Sequence, residues 1–347
     1  MRRLSEHRRR DRGGRAVKPF AYVRPERTEE AIDRFAAQPG ARFLAGGTNL
    51  VDLMKLGVAG PPLLIDINGL PLDAVEETPA GGLHIGATAR NSDVAAHPVV
   101  RARYPVLSQA LLAGASPQLR NAATTGGNLL QRTRCPYFQD ASKPCNKRVP
   151  GSGCPAREGV HRDLAVLGHS AHCVATHPSD MAVALAALDA EVRLRGPAGE
   201  RTVPVAEFHR LPGDRPDRDT VIEDGELITG VTLPAPPPGA RGAYRKARDR
   251  ASYAFALASV AAVLTVEDGR IGHAALAFGG LAHKPWRARA AEEVLRGAPA
   301  TAETYGRAAN AELAAAEPLR DNGFKVPLAR NLAVSVLRGL ASRADAS

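Results

Sequence analysis

The spacing of apolar residues predicts alternating helices and strands in the first part of the chain. Between residues 28 and 40 the apolar positions recur at helical spacing, so an amphipathic helix capped by Thr28 is expected there. Short apolar runs at residues 42–45, 63–67 and 82–87 are bounded by polar or glycine residues and predict strands. The pattern indicates a small lobe in which helices and strands alternate.

A second lobe is predicted from a longer apolar segment. Residues 181–190 are almost wholly apolar and follow Ser179 and Asp180, either of which can begin a buried helix. The next segment, residues 191–205, alternates around two glycines and predicts a β-hairpin. Together these elements indicate an α+β lobe.

A proline-rich stretch separates this lobe from the residues that follow. Residues 233–239 read LPAPPPG, which neither a helix nor a sheet interior accepts, so a domain boundary is expected there. Beyond it, residues 254–266 and 271–278 are two apolar segments that fit either strands or helices and flank an Asp-Gly turn. The alanine-rich segments 288–316 and 326–340 predict helices.

The composition is that of a globular protein. The chain has 347 residues, 44% hydrophobic and 24% charged, which suffices for two or three domains with buried cores. No apolar run approaches the roughly 20 residues that a membrane span requires. Half of the net charge of +10 comes from residues 1–16, which we interpret as a disordered basic extension. Because the remainder has no basic helix rich in aromatic residues, nucleic acid is not expected as a partner.

The four cysteines of the chain, Cys135, Cys145, Cys154 and Cys173, fall in one segment rich in glycine and proline. Nine, eight and eighteen residues separate them, so no pair has the short spacing of a zinc knuckle. A chain of this length does not need disulfides to fold, and it has no secretory hydrophobic segment. A four-iron four-sulfur cluster accepts thiolates from longer loops. The cluster is therefore our first interpretation, zinc the second and disulfides the third.

Two loops share an arrangement of paired glycines. Residues 45–50 read AGGTNL directly after a predicted strand, and residues 124–129 read TTGGNL. Paired glycines let backbone N–H groups approach a diphosphate, and Thr and Asn add short donors, although each loop alone also fits an ordinary turn. Residues 151–156 match the fingerprint G-x-G-x-x-A, but no strand precedes them and no helix follows, so NAD is not expected.

Read together, these segments resemble the FAD-binding medium subunit of the xanthine dehydrogenase and molybdenum hydroxylase family. The resemblance runs from about Val17 to the C-terminus. It is carried, in order, by the segments AGGTNL, GASPQLRNAATTGGNLLQRTRCPYF, PCNKR, PGSGC, ATHPSDMA and YRKARDRASYAFA. The cysteine insertion narrows the resemblance to the flavin and iron-sulfur subunits of bacterial periplasmic-type aldehyde oxidoreductases.

The resemblance implies an α+β fold with a two-lobed FAD-binding domain of the p-cresol methylhydroxylase and vanillyl-alcohol oxidase type, followed by a smaller α+β C-terminal domain. It puts the FAD-binding domain at residues 17–236, with lobes at about 17–70 and 71–236. An iron-sulfur insertion would occupy residues 131–174 of this domain. The C-terminal domain of molybdenum hydroxylase flavoproteins would span residues 237–347.

The resemblance also implies two sets of ligands. The FAD diphosphate would lie on the two glycine loops, with Asp180 at the ribityl chain or flavin edge and Lys246 near the isoalloxazine. The implied FAD-binding residues are Arg42, Phe43, Leu44, Ala45, Gly46, Gly47, Thr48, Asn49, Leu50, Thr124, Gly126, Gly127, Asn128, Asp180 and Lys246. The four cysteines would ligate a four-iron four-sulfur cluster. In the alternative, Asp180 only caps the apolar helix and Lys246 is a surface cation.

The implied function is electron transfer within a complex. In this family a large subunit with molybdenum cofactor oxidises an aldehyde or purine, a small subunit with two two-iron two-sulfur clusters relays electrons, and the FAD subunit passes them to an acceptor. A heterotrimer is therefore expected, either cytoplasmic or exported to the periplasm with a partner that carries a twin-arginine signal. Two alternatives stay open: a zinc-stabilised basic binding protein without flavin, and a flavoenzyme acting alone, for which no catalytic pair is evident.

Overall fold

Three β-sheets, each packed against helices, organise residues 17–342, the part of the chain that the computed structural model describes. The basic extension predicted at residues 1–16 lies outside the described residues. No helix within the described range has the length and apolar character that crossing a membrane requires.

The first sheet is parallel and forms the small lobe, with strand order β1-β3-β2. Its strands are β1 (Ala21–Val23), β2 (Arg42–Leu44) and β3 (Leu63–Asp66), and its helices are α1 (Thr28–Ala37) and α2 (Leu50–Lys55). The predicted helix buries Ala31 and Ile32, as its spacing indicated. The predicted cap is wrong, because Arg27 occupies the N-cap position and makes no side-chain capping bond.

The second sheet is antiparallel, with strand order β4-β5-β8-β6-β7. The strands are β4 (Val75–Glu77), β5 (Leu83–Gly86), β6 (Glu191–Gly196), β7 (Gly199–Pro204) and β8 (Leu227–Leu233). The associated helices are α3 (Asn91–Ala96), α4 (Pro98–Arg103), α5 (Pro105–Ala113), α6 (Pro117–Ala122), α7 (Thr125–Leu129), α8 (Pro136–Gln139), α9 (Asp180–Ala187) and α10 (Val205–Phe208). The predicted hairpin is confirmed as β6 and β7, whereas β8 was not predicted.

The third sheet, also antiparallel, has the order β12-β11-β10-β9. Its strands are β9 (Arg241–Ala247), β10 (Ala258–Glu267), β11 (Arg270–Gly279) and β12 (Trp286–Arg287), followed by the helices α11 (Arg289–Leu295), α12 (Ala302–Leu313) and α13 (Lys325–Ala341). The two ambiguous apolar segments are thus strands. The Asp-Gly turn between them is confirmed as the link from β10 to β11.

Strand β10 is buried on both faces, which explains why its spacing did not distinguish strand from helix. Ala261 and Val263 point into the core shared with α5 and α9, whereas Val260 and Ala262 point into the core shared with the C-terminal helices. A strand covered on both sides reads as a continuous apolar run without alternation. The third sheet therefore forms the wall between two hydrophobic cores.

The cysteine segment between α7 and α9 is mostly irregular. It contains α8 and a short 3₁₀ turn at Pro155–Arg157, and its apolar side chains form a small core of their own. Leu53 of α2 belongs to this core together with Phe138 and Val174. The segment is therefore packed against the helix that directly follows the first glycine loop.

Candidate functional site

The first glycine loop, residues 45–50, joins β2 to α2. Gly46 lies so close to the backbone of Ala122 that a Cβ at this position would be 1.9 Å from the Ala122 carbonyl oxygen. Gly47 has a φ of +70°, in the left-handed region that favours glycine. Each glycine is needed for its own steric reason, and Gly46 brings this loop against the segment that leads into the second one.

The second glycine loop, residues 124–129, contains the single turn of α7. Thr124 is the N-cap residue, and its hydroxyl accepts a hydrogen bond from the Gly127 N–H at 3.2 Å. The Gly126 N–H donates to the Ala87 carbonyl, just beyond β5, at 2.8 Å. This loop is therefore fixed both to itself and to the second sheet.

Two polar side chains outside the loops hold them together. Asn68 donates through Nδ2 to the Ala45 carbonyl at 3.0 Å. Arg90 donates to the Ala122 carbonyl at 2.5 Å and to the Asn68 Oδ1 at 2.9 Å. Sequence reasoning missed both residues. The available signal was that Asn68 follows the carboxyl end of a parallel strand, a position where ligand sites form in α/β sheets.

The two loop asparagines differ in what their amides bind. Asn49 accepts a hydrogen bond through Oδ1 from the Arg132 N–H at 3.0 Å, whereas its buried Nδ2 finds no acceptor within the described part of the chain. Asn128 accepts through Oδ1 from the Ser179 hydroxyl at 2.6 Å and from the Gln131 amide at 2.9 Å. Since an unpaired buried donor is costly, Asn49 presents an N–H group that a ligand oxygen can satisfy.

Some predicted residues near the first loop have other contacts. Arg42 is exposed, and its guanidinium donates to the Ala41 carbonyl at 2.8 Å. The Phe43 ring stacks on Phe35 of α1, with 4.9 Å between ring centroids. These two side chains therefore contact the small lobe itself, whereas residues 44–50, which include Leu44, Thr48 and Leu50, are half-buried along the loop and the start of α2.

Asp180 forms a buried ion pair with Lys246. The Lys246 Nζ lies 2.7 Å from the Asp180 carboxylate, the two side chains are 3% and 7% exposed, and Nζ also donates to the Ala113 carbonyl at 3.1 Å. The Tyr244 hydroxyl donates to the second carboxylate oxygen, and burial together with Asp180 raises the pKa of Tyr244 well above its usual value. Because Ser179 caps α9, Asp180 is not the cap. Lys246 is not a surface cation, since its side chain is only 3% exposed.

A cavity of about 240 Å³ opens beside Asp180. Residues 176–180 line one side, and Phe255, Leu257 and Gly280 line another. Cys135 also reaches this cavity, so it brings the cysteine segment to the same space.

Lys325, which is fully buried, stabilises the cavity wall through hydrogen bonds. Its Nζ donates to the carbonyl oxygens of Asp163 at 3.1 Å, Leu164 at 2.8 Å and Gly280 at 2.5 Å. Asn322 donates to the Ala165 carbonyl at 3.1 Å. Burial lowers the pKa of Lys325 to about 7. The segment that leads into α13 thus fixes the stretch that precedes the last cysteine.

Three buried histidines support the second loop and the cavity wall. The rings of His177 and His209 lie 4.2 Å apart, and Nε2 of His209 donates to the carbonyl of Leu129 at 2.8 Å. His283 donates through Nδ1 to the Ala175 carbonyl at 2.9 Å. Burial lowers the pKa of His209 to about 4 and that of His283 to about 3. Both imidazoles are therefore neutral at pH 7.

All four cysteines line one small cavity, together with Phe138 and Lys147. Each cysteine is a free thiol, so the disulfide interpretation finds no support. Cys154 and Cys173 share a hydrogen bond, which lowers the pKa of Cys154 to about 6 and raises the pKa of Cys173. Burial raises the pKa of Cys135 to about 11. The cysteines thus face one space although they lie far apart in the sequence.

Single-ion metal sites are absent from residues 17–342. Within that range no group of three or more His, Cys, Asp or Glu side chains is arranged to hold a metal ion. Tetrahedral zinc needs four ligands at about 2.0 to 2.3 Å from one point, so the zinc interpretation has no site in this arrangement.

Comparisons with known proteins agree with the motifs. A family model described as the FAD binding domain in molybdopterin dehydrogenase matches residues 18–236, which is more than half of the chain. The CO dehydrogenase flavoprotein C-terminal domain matches residues 213–343. The chain belongs to the FAD-binding subunits of the molybdenum hydroxylase family.

Individual relatives support this family assignment. The FAD-binding subunit PaoB of the aldehyde oxidoreductase of Escherichia coli K12 is 54% identical over 323 residues, covering 92% of this chain and 98% of the relative. The carbon monoxide dehydrogenase medium chain of Hydrogenophaga pseudoflava is 30% identical, covering 87% of this chain and 88% of the relative. A solved structure of carbon monoxide dehydrogenase from that organism superposes with a TM-score of 0.76 at 28% identity, over 95% of this chain and 99% of its own.

Membership of the molybdenum hydroxylase family confirms three predictions. The resemblance to its FAD-binding medium subunits is correct, and the fold is the expected mixture of helices and sheets with a FAD-binding domain followed by a C-terminal domain. The chain is an oxidoreductase subunit that binds FAD. The alternative of a flavin-free binding protein is therefore wrong.

Proposed function

We propose that this chain is the electron-transfer flavoprotein subunit of a molybdenum-dependent aldehyde oxidoreductase or xanthine dehydrogenase-type complex. When bound, FAD stores two electrons and releases them singly or in pairs, and a four-iron four-sulfur cluster exchanges single electrons. The observation that carries the proposal is that Cys135 lines both the cysteine cavity and the larger cavity beside Asp180. The two proposed cofactor sites therefore share a wall.

The two glycine loops would hold the FAD diphosphate. Gly46 allows backbone contact between the loops, and the unpaired Nδ2 of Asn49 supplies a buried donor for a phosphate or ribose oxygen. Gly126, Gly127 and Asn128 would form the opposite side, on a loop that Thr124 keeps rigid.

Asp180 and Lys246 would bind at the ribityl and isoalloxazine end. Their ion pair is nearly neutral overall, and the Tyr244 hydroxyl fixes the carboxylate from a third direction. A carboxylate held by two donors keeps one geometry, so it can orient a flavin instead of adapting to it. The cavity beside this pair is lined by apolar side chains such as Phe255 and Leu257 and by polar groups that can hydrogen-bond to a cofactor, among them Thr176 and Ser259.

The cysteine cavity suits a four-iron four-sulfur cluster by the chemistry of its donors. Four thiols face one space. A cluster distributes its four thiolate ligands over four irons, so the sulfurs do not have to meet at one point. Cys135, Cys145, Cys154 and Cys173 would be its ligands.

The proposed partners are a large subunit with molybdenum cofactor and a small subunit with two-iron two-sulfur clusters. The names of the relatives, medium chain and FAD-binding subunit, support an assembly of several chains. In this assembly we assign residues 17–236 to FAD and residues 237–347 to the C-terminal domain. The proposed acceptor is not NAD, and the compartment is either the cytoplasm or the periplasm after co-export.

Two measurements test this function. Purification with its genomic neighbours should give a yellow-brown complex that contains flavin and four irons per chain, and the isolated chain should not oxidise aldehydes. Loss of the cluster by Cys145→Ser should slow electron delivery to the acceptor while FAD stays bound. Rapid reduction of NAD by the complex, with no effect of cluster loss on any acceptor, would contradict the proposed electron path.

A further inference from the structure

A group of three charged side chains lies beside the cysteine cavity; Lys147 is buried, and Arg132 and Asp219 are half-buried. Lys147 comes two residues after Cys145 and is 2% exposed. Its ammonium donates to the Asp219 carboxylate and to the Pro216 carbonyl, the latter at 2.9 Å. Arg132 donates through Nε to the other oxygen of Asp219 at 2.6 Å. Two cations therefore share one carboxylate, and the group has a net charge of +1.

This charge group belongs to the wall of the cysteine cavity. Lys147 itself lines the cavity, and so does Phe138, over whose ring the Arg132 guanidinium lies at 4.6 Å from the centroid. Asp219 comes from a distant part of the chain, between α10 and β8. Burial alone would raise the pKa of Asp219, but Lys147 and Arg132 outweigh it and hold that pKa well below its usual value. The carboxylate is therefore charged at neutral pH.

A buried charge next to a redox centre shifts the energy of its reduced state. Four thiolates around an iron-sulfur core give a negative site, and reduction adds one further negative charge. A cation at short range in a protein interior favours that additional charge, whereas a carboxylate opposes it. An exposed cation on the same segment has a much weaker effect, because water and salt screen it.

We propose that Lys147, Asp219 and Arg132 form a device that sets the reduction potential of the cysteine site, with Lys147 raising the potential and Asp219 limiting the rise. This inference rests on the proposed four-iron four-sulfur cluster. Lys147 is thus a tuning residue, held in place by Asp219, and it is not a ligand.

The test compares substitutions of opposite sign in the copurified complex. Lys147→Met removes the cation at similar volume, and Asp219→Asn removes the anion. After iron is quantified, the midpoint potential of the cluster is measured by redox titration followed by electron paramagnetic resonance. We expect Lys147→Met to lower the equilibrium constant for reduction at least tenfold, about 59 mV to the negative side, and Asp219→Asn to shift the potential to the positive side.

Two controls separate charge from packing. Lys143→Met removes an exposed cation from the same segment. It should change the equilibrium constant for reduction by no more than about threefold from the wild-type value. Asp219→Glu keeps the charge and should restore the wild-type potential. A role limited to packing would give shifts of the same sign, or none, in the two charge-removing variants.

The outcomes distinguish the inference from the proposed function. Wild-type complex without iron contradicts both. If both charge-removing variants contain iron at the wild-type level but their cluster potentials are unchanged, or shift in the same direction, the inference alone is overturned. If Lys147→Met fails to retain iron, Asp219→Asn decides, because a positive shift supports the inference and any other result overturns it.

Discussion

The two glycine loops both carry paired glycines followed by an Asn-Leu dipeptide, but they are built in different ways. In the first loop, Gly46 contacts the backbone of the neighbouring segment, and the Asn49 amide keeps a buried donor without a protein acceptor. In the second loop, Thr124 caps α7, and the side-chain oxygen Oδ1 of Asn128 accepts hydrogen bonds from two protein donors. The first loop therefore keeps a buried donor without a protein acceptor, whereas the second is fixed by its own protein contacts.

This difference shows that a shared motif does not imply equal roles. Paired glycines permit a close approach, but the partner of that approach depends on what the fold brings near. For Gly46 the partner is a carbonyl of another segment, and for Gly126 it is the strand end at Ala87. Substitutions at matched positions should therefore have unequal effects.

The largest expected effect comes from Gly46→Ala. The new Cβ would lie 1.9 Å from the Ala122 carbonyl oxygen, so the two loops must separate. We expect FAD affinity to fall by about a hundredfold or more, since overpacking against backbone costs several kcal/mol at the site itself. Bound flavin per chain after dialysis measures the effect.

The control in the second loop is Gly127→Ala. Its Cβ would meet only the Thr124 hydroxyl, at 2.9 Å, which a side-chain rotation can relieve at the cost of the capping bond. FAD retention should drop much less than in Gly46→Ala. Equal losses in the two variants would mean that the loops are equivalent after all.

A second pair of variants compares the asparagines. Asn49→Asp keeps the oxygen that accepts from Arg132 but removes the unpaired Nδ2 donor, and Asn128→Asp keeps the oxygen bound by Ser179 and Gln131. Both changes add one negative charge. We expect Asn49→Asp to weaken FAD binding about tenfold to a hundredfold and Asn128→Asp to weaken it less, by fluorescence titration of the apo complex. The reverse order would refute the division of roles.

Acid should affect the second loop through His209. Its pKa is about 4 in the folded chain against 6.5 in the unfolded chain, so between these values only the unfolded chain binds the proton. Stability therefore falls as pH falls from 6.5, by roughly 1.4 kcal/mol per pH unit for this group. His209→Gln retains a donor for Leu129 and should reduce the loss of stability between pH 7 and pH 5, measured as the urea midpoint. An unchanged pH dependence would show that His209 does not contribute.

The smallest effect is expected for Thr124→Ala. Loss of the hydroxyl leaves the Gly127 N–H without its capping acceptor, which costs about 1 kcal/mol in the free energy of unfolding. Thermal unfolding monitored by circular dichroism should detect a shift of a few degrees. Thr124→Ser keeps the hydroxyl and should be close to wild type.

Sequence patterns predicted the local elements better than their partners. The helix at Thr28–Ala37 and the β6–β7 hairpin follow from apolar spacing and glycine positions, which are local signals. By contrast, the strand β10 could not be told from a helix, because burial on both faces removes the alternation that identifies a strand.

The candidate site was predicted unevenly for a similar reason. The two glycine loops and the four cysteines carry compositional signals that can be read along the chain. The bonds of Asn68 and Arg90 to the loops, and the pairing of Lys147 with Asp219, join residues that the fold brings together from distant positions. No spacing rule in a single sequence connects such residues to their partners.

The three carbonyl bonds of Lys325 have a consequence for how the protein matures. On the ribosome, residues 161–165 and Gly280 emerge long before Lys325, so the cavity wall beside Cys135 is fastened only when α13 docks. Until that moment the carbonyls of Asp163, Leu164 and Gly280 lack their shared donor. Docking of α13 is thus expected to be the step that fixes the wall between the two proposed cofactor sites.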